Sequence, residues 1–302
     1  MKKALVTGGM GFIGSHLAHE LLQQGFEVTI LDKSIYKPVQ FDLSAARIIE
    51  GDMMAKELLK SCLEEVDVCF HLAAIASVVQ CNQDWLYSLQ NNVIAFNNLL
   101  DVLKNLKKPI KLVYASSAAV YGNSDNLPFD ENALPAPVST YGVDKLTNEL
   151  YAAIASSTFG IPSVGLRLFN VYGLGQLDSN PYSGVITCFK KAILAKQPLI
   201  IYGDGEQTRD FIYVKDVVNA FIRAAQTPDS LTKVVNICSG KAISINELAE
   251  VMLDLFNVKL QILHKAARIG DSLHSLGDGK QAKIYLDFQA STPIQEGLKS
   301  LL

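Results

Sequence analysis

The sequence has one tryptophan (Trp85), five histidines and five cysteines in 302 residues. None of the histidines stands at metal-ligand spacing, so no metal site is expected. The cysteines, Cys62, Cys69, Cys81, Cys188 and Cys238, are odd in number, widely spaced and without a C-x-x-C pair. They read as buried thiols in a reducing compartment, which makes the cytoplasm the expected location. Charge of one sign is also lacking: 27 basic and 30 acidic residues leave a net charge of −3 with no run of either. No electrostatic footprint for nucleic acid or an anionic membrane is therefore present, and an anionic ligand must be gripped by a few placed arginines. No apolar run approaches the ~18 residues of a membrane span. The opening Met1 to Val6 has the basic-then-apolar order of a secretory leader, but Gly8 and Gly9 break it after a few residues. There is no internal repeat and no low-complexity segment.

What is present is a hydrophobic content of 49%, enough for a sizeable core in one large or two closely joined domains. Short apolar runs alternate with helical patterns: strands near 3–7, 26–31, 46–50, 67–72, 110–115 and 161–169, and helices near 12–24, 55–63, 84–106 and 141–158. Such alternation predicts an α/β fold, a doubly wound parallel sheet of Rossmann type. After Gly173 the composition loosens and a smaller C-terminal α/β domain is expected. Within it, 216–226 reads as a helix, Val234 to Cys238 as a strand that could return to the main sheet, and Ser244-Ile245-Asn246-Glu247 as a capping box. A strand at Leu260 to Leu263 and a last helix opened by Thr292-Pro293 complete the tail. The expected division is 1–169, with about 206–238 returning to it, and 170–302.

The first strand runs into Gly8-Gly9-Met10-Gly11-Phe12-Ile13-Gly14. Three glycines at this spacing let the backbone turn sharply, approach a pyrophosphate and seat the next helix close on the sheet. The helix N-terminus then attracts the anion. Asp32 ends the second apolar run, where a carboxylate accepts from ribose hydroxyls and favours NAD over NADP; the plainer reading is a strand-ending Asp, and Lys33 beside it blurs the choice. Asp52 falls where a third strand would end above an adenine, and serves equally as a turn residue.

Tyr141 and Lys145 stand at i, i+4 on one helix face. An ammonium and a cationic nicotinamide both favour the phenolate; lowering a phenol by about three units takes roughly 4 kcal/mol. Ser116 and Ser117, at the end of the preceding strand, offer a hydroxyl to relay a proton, or simple strand-end turn chemistry. His71 reads as structural polarity rather than a catalyst. The helices 92–106 and 141–158 are apolar on more than one face, which suits either a subunit contact or extra burial within one chain.

These stretches, with Gly51-Asp52, His71 to Ala74, Asn92-Val93, Ser116 to Gly122, Tyr141 to Lys145, Arg167 to Gly173 and Gly203 to Phe211, resemble the extended short-chain dehydrogenase/reductase family over essentially the whole chain. Within it they are similar to the NAD-dependent sugar-nucleotide epimerases. The resemblance implies an NAD site of Gly8, Gly11, Phe12, Ile13, Gly14, Asp32, Lys33, Asp52, Met53, Leu72, Ala73, Ala74, Asn92, Ser116, Tyr141, Lys145 and Phe169. It implies Ser117, Tyr141 and Lys145 as catalytic residues, Tyr141 taking the proton of the sugar 4-hydroxyl while C4 is oxidised by NAD and then reduced on its other face. Ser117, Asn170, Arg209, Arg268, Asp271 and Ser275 are implied to bind a UDP-sugar. Arg209 and Arg268 would grip the diphosphate, though two surface salt bridges are the alternative for them; Asp271 would meet the uridine ribose.

Two departures separate relatives. The family's dehydratases and decarboxylating enzymes carry a carboxylate just after the catalytic hydroxyl; here Ala118 and Ala119 stand there, which disfavours elimination. The gatekeeper position four after Asp271 is Ser275, small enough to leave room for an N-acetyl group at C2. The expectation is thus 4-epimerisation of UDP-GlcNAc/UDP-GalNAc through a transient 4-keto sugar, and UDP-glucose/UDP-galactose as well, by a homodimer formed through helices near 92–106 and 141–158. A UDP-uronic acid epimerase, a reductase or dehydratase, and a non-catalytic NAD-binding regulator are the alternatives.

Overall fold

The computed structural model describes residues 2–35, 40–124, 126–176, 184–230, 232–267 and 273–302. Its first half is built of β1 (Lys3–Thr7), α1 (Phe12–Gln23), β2 (Glu27–Asp32), β3 (Arg47–Glu50), α2 (Lys56–Leu63) and β4 (Val68–His71), then α3 (Val78–Gln83), α4 (Trp85–Ser88) and α5 (Ala95–Lys104). β5 (Lys111–Ser117), a 3-10 turn at Ala118–Val120, α6 (Thr140–Phe159) and β6 (Ser163–Leu168) follow. The rest comprises β7 (Asn170–Tyr172), α7 (Val185–Leu194), β8 (Leu199–Tyr202), β9 (Thr208–Tyr213), α8 (Val214–Gln226) and β10 (Lys233–Ile237). β11 (Ala242–Ser244), α9 (Ile245–Leu255), β12 (Ile262–Lys265), α10 (Lys280–Leu286) and α11 (Ile294–Lys299) close the chain.

Seven parallel strands form one sheet in the order β3-β2-β1-β4-β5-β6-β10. Strand order reverses between β1 and β4, the crevice where ligands of such sheets lie. Buried on both faces, the strands are almost wholly apolar: Ala4 and Val6 join the layer under α1 and α8 with Leu17 and Phe221, while Leu5 joins the opposite layer with Phe96, Leu99 and Leu112. A third core of Tyr172, Phe189, Leu199, Ile201, Leu248 and Met252 lies under the sheets β11-β9-β7 and β12-β8. β10, from the far end of the chain, pairs with β6.

Four expectations are corrected. The helix predicted over 84–106 is broken: α4 and α5 are joined by a π-helical turn at Leu89–Ile94, a widened turn that occurs most often at functional sites. Pro293 caps the last helix from outside instead of opening it, and the strand expected at 260–263 runs two residues later. The capping box at Ser244 is formed, with both reciprocal bonds present. Four cysteines are buried as expected, but Cys188, on α7, is exposed. Among the described residues no helix is long and apolar enough to cross a membrane, and no group of metal-ligating side chains gathers.

Candidate active site

A parallel sheet brings all its carboxyl ends to one edge, so Thr7, Asp32, His71, Ser117 and Leu168 share a rim. At the switch point β1 turns into α1 through the glycine loop. Gly8 has φ +69°, and a Cβ added at Gly14 would stand 2.2 Å from the Gly8 carbonyl oxygen, so only glycine lets α1 seat this close. Gly11 caps α1 without a side-chain partner, which leaves the helix's first N-H groups for an anion. Asp32 fixes the loop: one carboxylate oxygen accepts from the Met10 N-H at 2.9 Å, the other from the Ser34 N-H at 3.2 Å.

Beside this loop opens a cavity of about 320 Å³ lined by Gly8, Gly11, Asp32, Lys33, Asp52, Met53, Leu72, Ala73 and Ala74. Ile75, Tyr87 and Asn91 complete its wall. An adenosine diphosphate moiety fits this donor set: a glycine cradle, a helix N-terminus and a carboxylate in the cavity wall that can accept from hydroxyls. Lys33 spans the rim, its Nζ 2.9 Å from Asp52 and donating to Asn91 Oδ1. Phe12 and Ile13 instead pack against the third core, and Phe169 is buried with Val120, Tyr121 and Phe129.

Two expected cofactor contacts are redirected. Asn92 does not line the cavity; its Oδ1 accepts from the Ile75 N-H at 2.8 Å, and its Nδ2 bonds Ser88 Oγ at 3.2 Å and Asp144 Oδ2 at 3.0 Å. The π turn rotates Asn91 toward the cavity, and Asn92 becomes the clasp between that turn and α6. The Ser116 hydroxyl donates to Glu149 on α6. Asn91 and Tyr87 were not foreseen, since the signal, a widened turn inside a helix, leaves no mark in composition.

Tyr141 opens α6, whose N-cap Ser139 accepts from the Gly142 N-H at 3.1 Å. A Cβ at Gly142 would lie 2.5 Å from the Ala119 carbonyl, so the glycine after the tyrosine lets the helix start press against the 3-10 turn. That contact sets the Ser117 hydroxyl beside the Tyr141 phenol, close enough to favour its ionised form. Lys145, a turn further on, is buried, donates to the Ala115 carbonyl at 2.9 Å and lies 5.6 Å from the Tyr141 ring centre. Burial pushes the Tyr141 phenol up to about 12, against the opposing Ser117 hydroxyl, and pulls the Lys145 ammonium down to about 8, against the carboxylates of Asp144 and Glu149. The depressed phenol expected from the ammonium is therefore not supplied by the protein's own residues. His71 is buried, bonded to Thr7 Oγ1 at 2.9 Å, and held neutral by burial and the Lys145 charge, down to about 3. It supports the sheet edge and is uncharged at neutral pH.

Asn170 and Arg209 meet in a second cleft of about 330 Å³, with Gln176, Tyr202 and Gln207. Arg209 is oriented by the Thr208 carbonyl at 2.9 Å and the Leu273 carbonyl at 3.4 Å. Ser275 is aligned by a backbone bond of 3.1 Å to the Thr208 carbonyl and is not among the residues lining this cleft. Arg268 and Asp271 lie outside the described residues.

A family model described as NAD dependent epimerase/dehydratase matches residues 4–238. The UDP-N-acetylglucosamine 4-epimerase from Methanobrevibacter ruminantium, solved with UDP-N-acetylmuramic acid, is 35% identical over 99% of this chain and 96% of that one, with a TM-score of 0.91. The UDP-glucose 4-epimerase from Thermotoga maritima, solved with UDP-glucose, is 31% identical over 99% and 97%, with a TM-score of 0.92. A UDP-N-acetyl-alpha-D-glucosaminuronate decarboxylase from Bacillus cytotoxicus is 36% identical over 87% of this chain and 83% of its own. The chain thus belongs to the NAD-dependent epimerase/dehydratase family, within the extended short-chain dehydrogenases/reductases, and its cofactor is NAD.

Proposed function

We propose that this protein interconverts the C4 epimers of a UDP-hexose, with UDP-GlcNAc and UDP-GalNAc as the principal pair and UDP-glucose and UDP-galactose accepted as well. The observation that carries the proposal is the convergence of Ser117, Tyr141 and Lys145 on the sheet edge that holds the dinucleotide cradle. Bound NAD supplies the two-electron oxidation and re-reduction of C4. Tyr141 takes the 4-hydroxyl proton and later returns it, Ser117 relays it, and Lys145 holds a positive charge beside the phenol. Asn170 and Arg209 hold the nucleotide end, Arg209 as a planar fork suited to phosphate oxygens. Ala118 and Ala119 offer no group to transfer a proton in an elimination, which speaks against dehydratase chemistry. Ser275, held by its backbone bond to Thr208, is small and leaves room for an N-acetyl group. Residues 1–169, joined by α8 and β10, serve the cofactor, and the rest of 170–302, Arg209 included, the sugar nucleotide.

A proton NMR time course with UDP-GlcNAc tests the proposal. The GalNAc anomeric signal is expected to grow to an equilibrium without added reductant; no epimer from any of a panel of UDP-sugars would leave a non-catalytic NAD-binding regulator, and net NADH consumption a reductase.

We further propose a cytoplasmic homodimer. The outward face of α6 carries Leu150, Tyr151, Ile154 and Phe159, 49 to 61% exposed, and with Leu89 and Ile94 all but Leu150 flank a groove of about 640 Å³. Apolar faces of this kind on two adjacent helices are self-complementary about a two-fold axis. Ile154→Glu is expected to shift the protein from dimer to monomer in sedimentation velocity; a wild type that sediments as a monomer removes the dimer.

A further inference from the structure

Behind the catalytic strand runs a line of buried polar groups that the chemistry above leaves unused. Glu149 lies on α6 one turn beyond Lys145, Arg167 lies on β6, and their side chains are 5% and 6% exposed. Glu149 Oε2 accepts from Arg167 Nη2 at 2.7 Å, and Oε1 accepts from Arg167 Nε at 3.0 Å and from the Ser116 hydroxyl. Arg167 Nη1 donates to the Tyr121 hydroxyl at 2.8 Å, which donates to Asn236 Oδ1 at 2.7 Å. Asn236 Nδ2 then donates to the carbonyls of Phe129 at 2.9 Å and Asp278 at 3.3 Å. Phe129 is paired through its backbone with Leu276 and Asp278, just beyond Ser275. One continuous line of hydrogen bonds therefore joins the neighbour of Ser117 to the segment that bears Ser275.

A buried ion pair roughly breaks even in stability against well-packed apolar groups. Its geometry is the informative part: a bidentate fork is rigid, and this one is bonded to the residue before the catalytic hydroxyl.

We propose that Glu149 is a positioning residue for the epimerisation proposed above, on which this inference rests: by holding Ser116 it sets Ser117 against Tyr141, and through Arg167, Tyr121 and Asn236 it fixes the same frame to the Ser275 segment. Tyr141 is faced by Ser117, Lys145, Asp144 and Cys81. Lys145 is faced by Asp144, Cys81, Glu149 and His71. The Ser117 hydroxyl favours the phenolate, so a displaced Ser117 raises the pH at which Tyr141 ionises. Loss of the Glu149 charge also loosens the Lys145 proton, which acts in the same direction.

The test is Glu149→Gln, made in the wild type and in Tyr141→Phe. The difference in ultraviolet tyrosinate absorbance between Tyr141 and Tyr141→Phe proteins isolates Tyr141 and needs no substrate. Expected are a Tyr141 titration displaced to higher pH and a kcat for UDP-GlcNAc epimerisation lowered at least about tenfold, with KM within about twofold. A folded variant with titration and kcat unchanged overturns the proposal, even if it melts at a lower temperature, since the pair would then be structural only. If the wild type converts no UDP-hexose, the epimerase proposal fails while the titration still decides the role of Glu149. Should Glu149→Gln not fold, Ser116→Ala keeps the ion pair, removes only the link toward Ser117, and is read by the same two measurements.

Discussion

Tyr141→Phe is expected to cut epimerisation by about a thousandfold, with the fold and NAD binding unchanged. The ring stays, so its packing against the Lys145 stem and the start of α6 is kept; only the oxygen that meets Ser117 is lost. No neighbour can replace it. His71 is buried, bonded to Thr7 and far too acidic as an imidazolium to exchange protons near neutrality. Ser117 lacks a base once the phenol is gone, and Ala118 and Ala119 have no ionisable group. The NMR time course with UDP-GlcNAc, read beside NAD content, checks this; conversion that survives in the variant takes Tyr141 out of the mechanism.

Gly14→Ala is expected to be the most damaging change to the cofactor site. The new methyl carbon would stand 2.2 Å from the Gly8 carbonyl oxygen and 2.8 Å from Gly9 Cα, both backbone atoms of the cradle itself. Backbone cannot swing aside as a long side chain does, so α1 must back away from the sheet or the loop must open. Overpacking of this kind costs about 1–3 kcal/mol. Where that strain falls on the nucleotide-competent loop, NAD affinity drops by about ten- to a hundredfold. Titration calorimetry with NAD, alongside thermal unfolding, measures both parts; affinity equal to the wild type shows that α1 need not sit this close.

The sheet was legible because its strands are buried on both faces: Lys3 to Thr7, Val68 to His71 and Ser163 to Leu168 appear as apolar runs divided by helical periods. The glycine loop and the Tyr141, Lys145 pair were legible from spacing read in context, a strand before and a helix after the one, the cleft helix around the other. The π turn was not, because Leu89 to Ile94 has ordinary helix-forming composition and the extra residue per turn is set by contacts with Ile75 and Asp144. The family resemblance points to Asn92, whereas Asn91 lines the cavity. The direction of Ser116 was equally hidden, because nothing in the strand's own sequence shows that its hydroxyl donates to Glu149 on α6. β7 and β11, of three residues each, are too short for any period to register.

The position of β10 has a consequence for how the chain is made. As it leaves the ribosome, β6 has one neighbour, β5, and its other side is a row of unsatisfied amides and carbonyls until Ile237 has been synthesised. Nascent protein stalled anywhere between these strands carries an open, apolar seam. Fragments ending near Phe169 should accordingly precipitate or recruit chaperones, whereas chains that extend past Ile237 should remain dispersed.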